Sequence, residues 1–488
     1  MRSAGVLLHI SSLPSEYGIG SLGKSAYDFV DFLARTGNKI WQILPIGPTS
    51  YGDSPYASTS AFAFQTYFID IDMLVDEGLV SKEDAESQKR NVRKVNYEDL
   101  FNTREEFLHK AYVNSTKLND EFEKFMADEA SWLDDFAIYA ILKKEHTYKP
   151  WFYWYDDFKY KRPGSLAWLK NEYQDKIREI KFFQFLAYRQ YFKLKEYANK
   201  KGVLILGDIP IYCAHDSADV WANPELFDLN PDLTPRCVAG CPPDMFSPDG
   251  QLWGNPLYNY GKMKEDNYSW WVRRVKHSLK LFDMLRIDHF RGFEAYYAIP
   301  FGDTTARNGH WEKGPDYALF EAIKKECPKA NIVAENLGFL TPEVEELLDK
   351  CKYPGMKIFE FELGSEDNIP LSKPYLKNNV FYTGTHDNQT IMSYYNSLND
   401  RDKKIIDKLC KIGFYDKPNL KIIEFSMNTK CDYCIIPFQD YLGLDDLFRM
   451  NTPSTTGNNW QYMARKRDFT PELEAYMKDI IVKAKRNV

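Results

Sequence analysis

The sequence predicts an α/β fold, a (β/α)8 TIM barrel, because eight short apolar segments alternate with segments of helical pattern over 488 residues. Most of the apolar segments lack the alternation of apolar and polar residues typical of a half-exposed strand. They resemble parallel strands that are buried on both faces. A second observation is that three of these segments end in an acidic residue. A third is that two long insertions follow the second and third predicted strands, which predicts inserted subdomains at those places.

The predicted strands are short apolar runs that end in polar or glycine residues. They are residues 5–10, 39–46, 202–212, 282–290, 331–337, 356–361, 380–386 and 447–452. Helical patterns lie between them at residues 25–36, 182–200, 268–280, 316–327 and 342–350. The last helix has a start signal, because Thr341 suits the N-cap and Pro342 suits the first helical position.

The spacing of the strands divides the chain unevenly. Residues 47–181 form a mainly helical insertion that is rich in charge and aromatic side chains, and residues 213–266 form a loop-rich insertion with many prolines and glycines. Both follow the carboxyl end of a strand, where insertions in barrels build active sites. No internal repeat or flexible linker is evident, so we expect one catalytic barrel over residues 1–488 with two subdomains, the second lying over the active site.

Composition excludes several classes of function. The net charge is −7 with acidic and basic residues interleaved, which does not favour a nucleic-acid or anionic-membrane partner. No apolar run is long enough to cross a membrane and residues 1–10 do not resemble a signal peptide, so a cytoplasmic location is the expectation. The eight cysteines lack zinc-ligand spacing, and we expect reduced, structural thiols and no bound metal.

Three predicted strands end in acidic residues. Arg286 and Asp288 stand two apart, on the same side of one strand, while Glu335 and Asp387 end two later strands. Because the carboxyl ends of barrel strands meet at one mouth, these acids are expected to converge. Each acid alone could equally form a buried ion pair or cap a loop, but their shared position favours a catalytic site.

Carboxylates at one mouth suit glycoside chemistry. A retaining mechanism needs a carboxylate nucleophile and a carboxylic acid about 5 to 5.5 Å apart. A third carboxylate can hold substrate hydroxyls as positive charge develops on the sugar ring, and Arg286 beside Asp288 would keep that carboxylate ionised. Aromatic residues, at 16% of the chain, suit stacking on sugar rings, although a large aromatic core explains them equally well. No cofactor is required by this chemistry.

Three motifs around these acids, residues 286–292, 334–338 and 384–387, resemble those of the amylomaltases, or disproportionating enzymes. This family comprises 4-α-glucanotransferases related to the α-amylase superfamily, and the resemblance covers essentially the whole chain. Further shared motifs are residues 47–56, 207–212, 216–221, 242–244, 254–258 and 449–453. The resemblance implies transfer of an α-1,4-glucan segment to the 4-OH of a glucose or maltooligosaccharide acceptor, by a retaining double displacement through a covalent glycosyl-enzyme intermediate.

The resemblance also implies roles for individual residues. Asp288 is expected to be the nucleophile, Glu335 the acid/base and Asp387 the transition-state stabiliser. Substrate contacts are expected from Arg286, His386, Tyr56, Tyr51, Ser54, Asp208, Asp244, Trp253, Asn255 and Asn459. Residues 240–253 are interpreted as a loop over the glucan groove, stiffened by prolines and hinged at glycines.

The motifs for chemistry do not distinguish transfer from hydrolysis, because both pass through the same intermediate. An enclosed aromatic acceptor side would favour transfer by limiting productive water. A hydrolytic α-glucanase with the same acids and a glucan-binding protein with a vestigial site are the two alternatives. The resemblance favours the transferase, while the sequence predicts neither the oligomeric state nor the preferred chain lengths.

Overall fold

A computed structural model describes residues 2–243, 247–338, 340–362 and 377–486. Its strands in chain order are β1 (Ser3–Leu7), β2 (Ile40–Gln42), β3 (Leu204–Ile209), β4 (Cys237–Cys241), β5 (Gln251–Pro256), β6 (Met284–Ile287), β7 (Ala295–Pro300), β8 (His310–Lys313), β9 (Ile332–Ala334), β10 (Gly355–Ile358), β11 (Asn379–Tyr382) and β12 (Tyr433–Pro437).

Eight of these strands form a parallel sheet in the order β10, β11, β12, β1, β2, β3, β6, β9. The two edge strands approach each other, because the Ala334 amide donates to the Pro354 carbonyl at 2.9 Å and the Met356 amide donates to Asn336 Oδ1 at 2.7 Å. Residues of the barrel strands are almost wholly buried, as expected for a sheet covered on both faces. The predicted (β/α)8 barrel is confirmed.

The α-helices surround this sheet. They are α1 (Lys24–Thr36), α2 (Ile71–Asp76), α3 (Lys82–Ser87), α4 (Tyr97–Val113), α5 (Asn119–Asp128), α6 (Ala130–Glu145), α7 (Asp156–Lys159), α8 (Pro163–Glu172), α9 (Gln174–Lys200), α10 (Ala218–Ala222), α11 (Tyr260–Glu265), α12 (Ser269–Leu281), α13 (Tyr317–Glu326), α14 (Pro342–Cys351), α15 (Phe359–Glu362), α16 (Ile391–Ser397), α17 (Asp400–Cys410), α18 (Pro418–Asn428), α19 (Phe438–Leu442) and α20 (Pro471–Lys483). All five predicted helices overlap observed ones, and α14 begins at Pro342 with Thr341 as its N-cap.

Seven predicted strands overlap barrel strands, but the eighth was wrong. Residues 447–452 are not a strand: they contain the end of a 3-10 helix, Asp446–Phe448, and an irregular segment, and the Leu447 side chain is 75% exposed. The eighth barrel strand is β12, which pairs with β1 and β11. A continuous apolar run is the pattern of a strand buried on both faces, whereas three of the six residues at 447–452 are polar.

The segment between β2 and β3 is largely helical and contains α2 to α9. Its last helix, α9, is held to the preceding loop by two glutamine side chains. Gln184 pairs with the backbone of Phe64 at 2.7 and 2.9 Å, and Gln190 pairs with the backbone of Asp70 at 2.7 and 3.1 Å. These buried amide pairs satisfy loop backbone groups that burial would otherwise leave without partners.

The segment between β3 and β6 contains two strands that the sequence did not predict. β4 and β5 join β7 and β8 in an antiparallel sheet of order β5, β4, β7, β8. β4 contains Ala239 and Gly240, which have weak strand propensity, and its register with β5 is irregular between Val238 and Gly240. A side chain at Gly240 would lie 2.1 Å from the Gln251 carbonyl oxygen, so this close approach requires glycine.

Two further observations concern the cysteines and the apolarity of the helices. Five of the eight cysteines are buried, and the described residues contain no disulfide bond. Among the helices of the described residues, none combines the length and apolarity that a bilayer crossing requires.

Candidate active site

A buried ion-pair chain joins three of the predicted site residues. Asp208 on β3 lies opposite Arg286 on β6 in the sheet register. Arg286 Nη1 donates to both oxygens of Asp208 at 2.7 and 2.6 Å, and Arg286 Nη2 donates to Asp288 Oδ1 at 2.7 Å. Burial opposes the charge on Arg286, yet the two carboxylates raise its pKa well above the usual value. One guanidinium therefore bridges two carboxyl groups at the barrel mouth.

Asp288 is the more accessible of these two acids. Its side chain is 30% exposed, whereas that of Asp208 is 0% exposed. The Asp288 amide donates to the Ile209 carbonyl at 3.0 Å, which extends the β3–β6 pairing by one residue beyond the strand. The chain then turns sharply, because His289 has the left-handed backbone conformation with a φ of 50°. Asp288 is thus the first residue after β6, and its partly exposed carboxyl group lies at the mouth.

Glu335 directly follows β9 and is held by main-chain donors. The His289 amide donates to Glu335 Oε2 and the Leu337 amide donates to Oε1, both at 2.7 Å. The first contact links Glu335 to the residue after Asp288, so the two acids share one corner of the mouth. Burial and the nearby Asp288 charge raise the pKa of Glu335 to about 7, against the opposing effects of Arg286 and the two amides.

Asp387 is held by side chains. Asn451 Nδ2 donates to Asp387 Oδ1 at 2.6 Å, and His386 Nε2 lies 3.2 Å from Oδ2. Burial favours the neutral acid, but His386 and the hydrogen bonds from His386 and Asn451 lower the pKa of Asp387 to about 2. Asp387 is therefore ionised at neutral pH while Glu335 is close to its titration midpoint.

Tyr56 connects the ion-pair chain with His386. Its hydroxyl donates to Asp208 Oδ2 at 2.8 Å and lies 3.4 Å from His386 Nδ1. Its ring stacks on the His386 imidazole with centroids 4.8 Å apart and an interplanar angle of 14°. Tyr56 lies in a 3-10 helix, Pro55–Ala57, whose N-cap is Ser54. The structure thus brings together seven predicted site residues: Tyr56, Asp208, Arg286, Asp288, Glu335, His386 and Asp387.

The other predicted substrate contacts lie around this cluster. The Trp253 ring contacts the ring of His289, the residue after Asp288, edge to face with centroids 4.9 Å apart. Tyr51 is 96% exposed on the loop after β2. Asp244 falls outside the described residues.

Three predicted contacts have side chains engaged with local backbone. Ser54 Oγ accepts from the Tyr56 amide at 3.2 Å, and Asn255 Nδ2 donates to the Cys213 carbonyl at 3.0 Å. Asn459 accepts from the Thr452 amide and donates to the Thr455 carbonyl, both at 3.1 Å. These bonds shape the loops that border the site.

The sequence did not assign roles to Arg449 and Asn451, although both belong to the motif at residues 449–453. Arg449 Nη2 donates to the Asp387 carbonyl, and Arg449 Nε donates to the Asn451 carbonyl at 2.7 Å. The Asn451 amide donates to the His386 carbonyl at 3.1 Å. The signal that could have indicated partners for a catalytic acid is the presence of an arginine and an asparagine, Arg449 and Asn451, in one shared motif.

Comparison with known proteins identifies the family of this chain. A family model described as 4-alpha-glucanotransferase matches residues 8–467. A 4-alpha-glucanotransferase of Clostridium butyricum is 45% identical over 474 residues, which cover 96% of this chain and 97% of that protein. The solved amylomaltase of Streptococcus agalactiae, in complex with acarbose, superposes with a TM-score of 0.97 at 38% identity and 100% coverage of both chains.

A more distant structure shows the fold alone. Amylomaltase from Corynebacterium glutamicum is 17% identical, with a TM-score of 0.79 over 100% of this chain and 75% of that one. The family match and the full-length similarity to the Clostridium butyricum protein lead to one conclusion. The chain belongs to the 4-alpha-glucanotransferase family of retaining, glycoside hydrolase-type enzymes.

Proposed function

We propose that Asp288, Glu335 and Asp387 carry the 4-α-glucanotransferase reaction of this chain as nucleophile, acid/base and stabiliser, respectively. The observation that carries the proposal is that two carboxyl groups at one mouth, Glu335 and Asp387, have pKa values shifted in opposite directions. The pKa of Glu335 is raised to about 7 while that of Asp387 is lowered to about 2. Two carboxyl groups whose environments move their pKa values apart are suited to acid and anion roles.

In the first step, an Asp288 oxygen attacks the anomeric carbon of an α-1,4-linked donor. The bond to the leaving glucan oxygen breaks, and protonated Glu335 gives that oxygen its proton. The Arg286 hydrogen bond to Asp288 supports this role, because it fixes the position of the attacking carboxyl group at the barrel mouth. The product is a glycosyl ester on Asp288 and a shortened glucan with a new free end.

In the second step, Glu335 acts as a base. Esterification removes the negative charge of Asp288, which is one of the two causes that raise the pKa of Glu335, so the carboxyl becomes more acidic. It then takes the proton from the 4-OH of the acceptor, whose oxygen attacks the anomeric carbon and releases Asp288. Two inversions return the α configuration.

Asp387 stays anionic throughout and stabilises the positive charge that develops on the sugar ring. We propose that its carboxylate accepts from sugar hydroxyls, while Arg286 and His386 hold the donor at the cleavage point. Asn451 and His386 already fix both oxygens of Asp387, so little reorganisation accompanies the reaction.

For the sugars beyond the cleavage point, we propose stacking on Tyr56 and Trp253, with Tyr51 and Asp244 contacting more distant units. Asp208, Ser54, Asn255 and Asn459 would shape the groove through the bonds described above. The amylomaltase of Streptococcus agalactiae, which shares this fold, was solved in complex with acarbose, which supports an oligosaccharide groove. The proposed acceptors are glucose and maltooligosaccharides.

Incubation with maltotriose alone tests the proposal. Chromatography is expected to show free glucose together with maltodextrins longer than maltotriose. Products limited to glucose and maltose, with reducing ends rising steadily, would instead identify a hydrolase. Asp288→Asn is expected to remove either activity and to preserve the circular dichroism spectrum, and full turnover by that variant would exclude Asp288 as the nucleophile.

A further inference from the structure

Glu360 has a buried carboxyl oxygen, Oε1, and takes no part in the reaction described above. It lies in α15, directly after β10, and its Oε2 accepts from Asn388 Nδ2 at 3.0 Å. Asn388 is the residue after Asp387. β10 pairs with β11, the strand that precedes Asp387. The carboxyl group of Glu360, just after β10, therefore contacts the turn that contains Asp387.

The hydrogen bonds of Asn388 assign a direction to this contact. The Thr385 amide and the Thr385 hydroxyl both donate to Asn388 Oδ1, at 2.9 and 2.8 Å. Since an amide N–H can only donate, the oxygen of the Asn388 side chain faces Thr385 and its nitrogen faces Glu360. The Thr385 hydroxyl uses its hydrogen in the bond to Asn388. Its oxygen accepts a hydrogen bond from the Asp387 amide at 3.3 Å. A chain of three side chains thus runs from Glu360 to the Asp387 backbone.

Close packing accompanies this chain. A side chain at Gly384 would lie 3.1 Å from Asn388 Cβ and 3.3 Å from Glu360 Oε1, so the turn and Glu360 lie close against each other. Glu360 Oε1 is itself buried and makes no hydrogen bond within the described residues. An ionised carboxylate would leave charge on that oxygen without a partner, and burial raises the pKa of Glu360 to about 8. The group is therefore mostly a neutral carboxylic acid at pH 7.

The two sides of Asp387 are held differently. Asn451 and His386 hold its carboxylate, and Arg449 holds its carbonyl. Its amide bonds to Thr385, which Asn388 fixes in turn. We propose that Glu360 is a positioning residue for Asp387, acting through Asn388 and Thr385. This inference rests on the proposed role of Asp387.

Two substitutions at Glu360 separate a hydrogen-bonding role from a role in packing. Glu360→Gln keeps an acceptor for Asn388 and the neutral state, so we expect it to retain kcat for maltotriose disproportionation within about twofold. Glu360→Leu keeps the volume but removes the acceptor, and we expect kcat to fall about tenfold with little change in KM, because misplacement of Asp387 affects the transition state. Rates are expressed per active site, counted by trapping the covalent Asp288 adduct, so that loss of folded protein does not imitate loss of function. Asp387→Asn separates a failure of this inference from a failure of the role proposed for Asp387. Unchanged kcat in Asp387→Asn would refute that role, whereas a large loss there with unchanged kcat in Glu360→Leu would refute this inference alone.

A double-mutant cycle tests whether Glu360 acts through Asn388. Asn388→Ala alone should lower kcat by at least as much as Glu360→Leu, and adding Glu360→Leu to it should lower kcat no further than about twofold. Tyr394→Phe is the matched control, since Tyr394 donates only to the Glu360 backbone carbonyl, at 3.2 Å, and we expect unchanged kcat.

Several outcomes would overturn the inference. Equal losses in Glu360→Gln and Glu360→Leu would show that hydrogen bonding to Asn388 is not the cause. A lower melting temperature with unchanged kcat per trapped site would assign Glu360 a structural role, and additive losses in the double variant would remove Asn388 as the link. If Glu360→Leu does not fold, Thr385→Val breaks the last link, and unchanged kcat in that variant would equally contradict the inference.

Discussion

Glu335 follows β9 and Asp387 follows β11 in the same barrel, yet the protein holds the two carboxyl groups in different ways. Glu335 receives both of its hydrogen bonds from main-chain amides, those of His289 and Leu337. Asp387 receives its bonds from the side chains of His386 and Asn451. The pKa of Glu335 is raised to about 7 and that of Asp387 is lowered to about 2.

The difference teaches how one mouth can hold an acid and an anion. Amide donors favour the carboxylate of Glu335, but burial and the charge of Asp288 outweigh them. At Asp387 burial is also the largest single cause, and the adjacent imidazole together with two hydrogen bonds outweighs it. The raised pKa of Glu335 therefore depends in part on the charge of Asp288, which the reaction removes. The lowered pKa of Asp387 depends on His386 and Asn451, which the reaction leaves unchanged.

The largest expected effect comes from removing the proton of Glu335. Glu335→Gln should lower kcat for maltotriose by about a thousandfold, since the leaving oxygen then departs without general acid catalysis. Formation of the Asp288 adduct from α-maltosyl fluoride should be far less impaired, because fluoride leaves without a proton. Equal losses with both donors, measured by single-turnover kinetics, would contradict the assignment of Glu335 as the acid.

Removing a partner of Asp387 should have a smaller effect. Asn451→Ala removes a charge-assisted hydrogen bond, and we expect kcat to fall about 10- to 100-fold with both maltotriose and α-maltosyl fluoride. Both donors should suffer because the stabilised charge lies on the sugar ring and not on the leaving group. Asn428→Ala is the matched control, since Asn428 donates only to the Glu424 carbonyl at the exposed end of α18. A loss confined to maltotriose would indicate that Asn451 assists the leaving group instead.

The smallest effect concerns stability. The pKa of Glu335 is raised in the folded state from 4.5 to about 7, so the neutral acid is favoured by folding. Its contribution is fully present below about pH 4.5 and is lost as pH rises through about 7. Glu335→Gln does not ionise, and we expect its free energy of unfolding to exceed that of the wild type by on the order of 1 to 2 kcal/mol more at pH 8 than at pH 4. Urea denaturation at the two pH values measures this difference, and an identical offset at both would show that the Glu335 pKa is not raised.

The sequence predicted the parts of this site that follow from strand ends. Asp288 and Glu335 could be placed at one mouth because each follows an apolar run in a parallel barrel. The sequence did not predict that Asn451 holds Asp387, because residues 447–452 were interpreted as a strand and not as a loop reaching back to it. Partners separated by 64 residues are set by tertiary packing, which has no local signal.

The same limit applies to the secondary structure. The sequence did not predict Tyr433–Pro437, although it is continuously apolar. It did not predict Cys237–Cys241 either, where Ala239 and Gly240 interrupt the pattern of strand-favouring residues. β4 is stabilised by its neighbours β5 and β7, and β7 is more than 50 residues further along the chain. Long-range pairing of this kind overrides local propensity.

The central claim is that Asp288 forms the covalent intermediate of a retaining transfer. Incubation of the enzyme with 5-fluoro-α-maltosyl fluoride, followed by proteolysis and mass spectrometry of the peptides, tests it most directly. The 5-fluoro group slows both steps and the fluoride leaving group restores the first, so the adduct should accumulate. The account predicts one labelled peptide with the modification on Asp288. A label on another carboxylate, or no label together with inverted products, would contradict it.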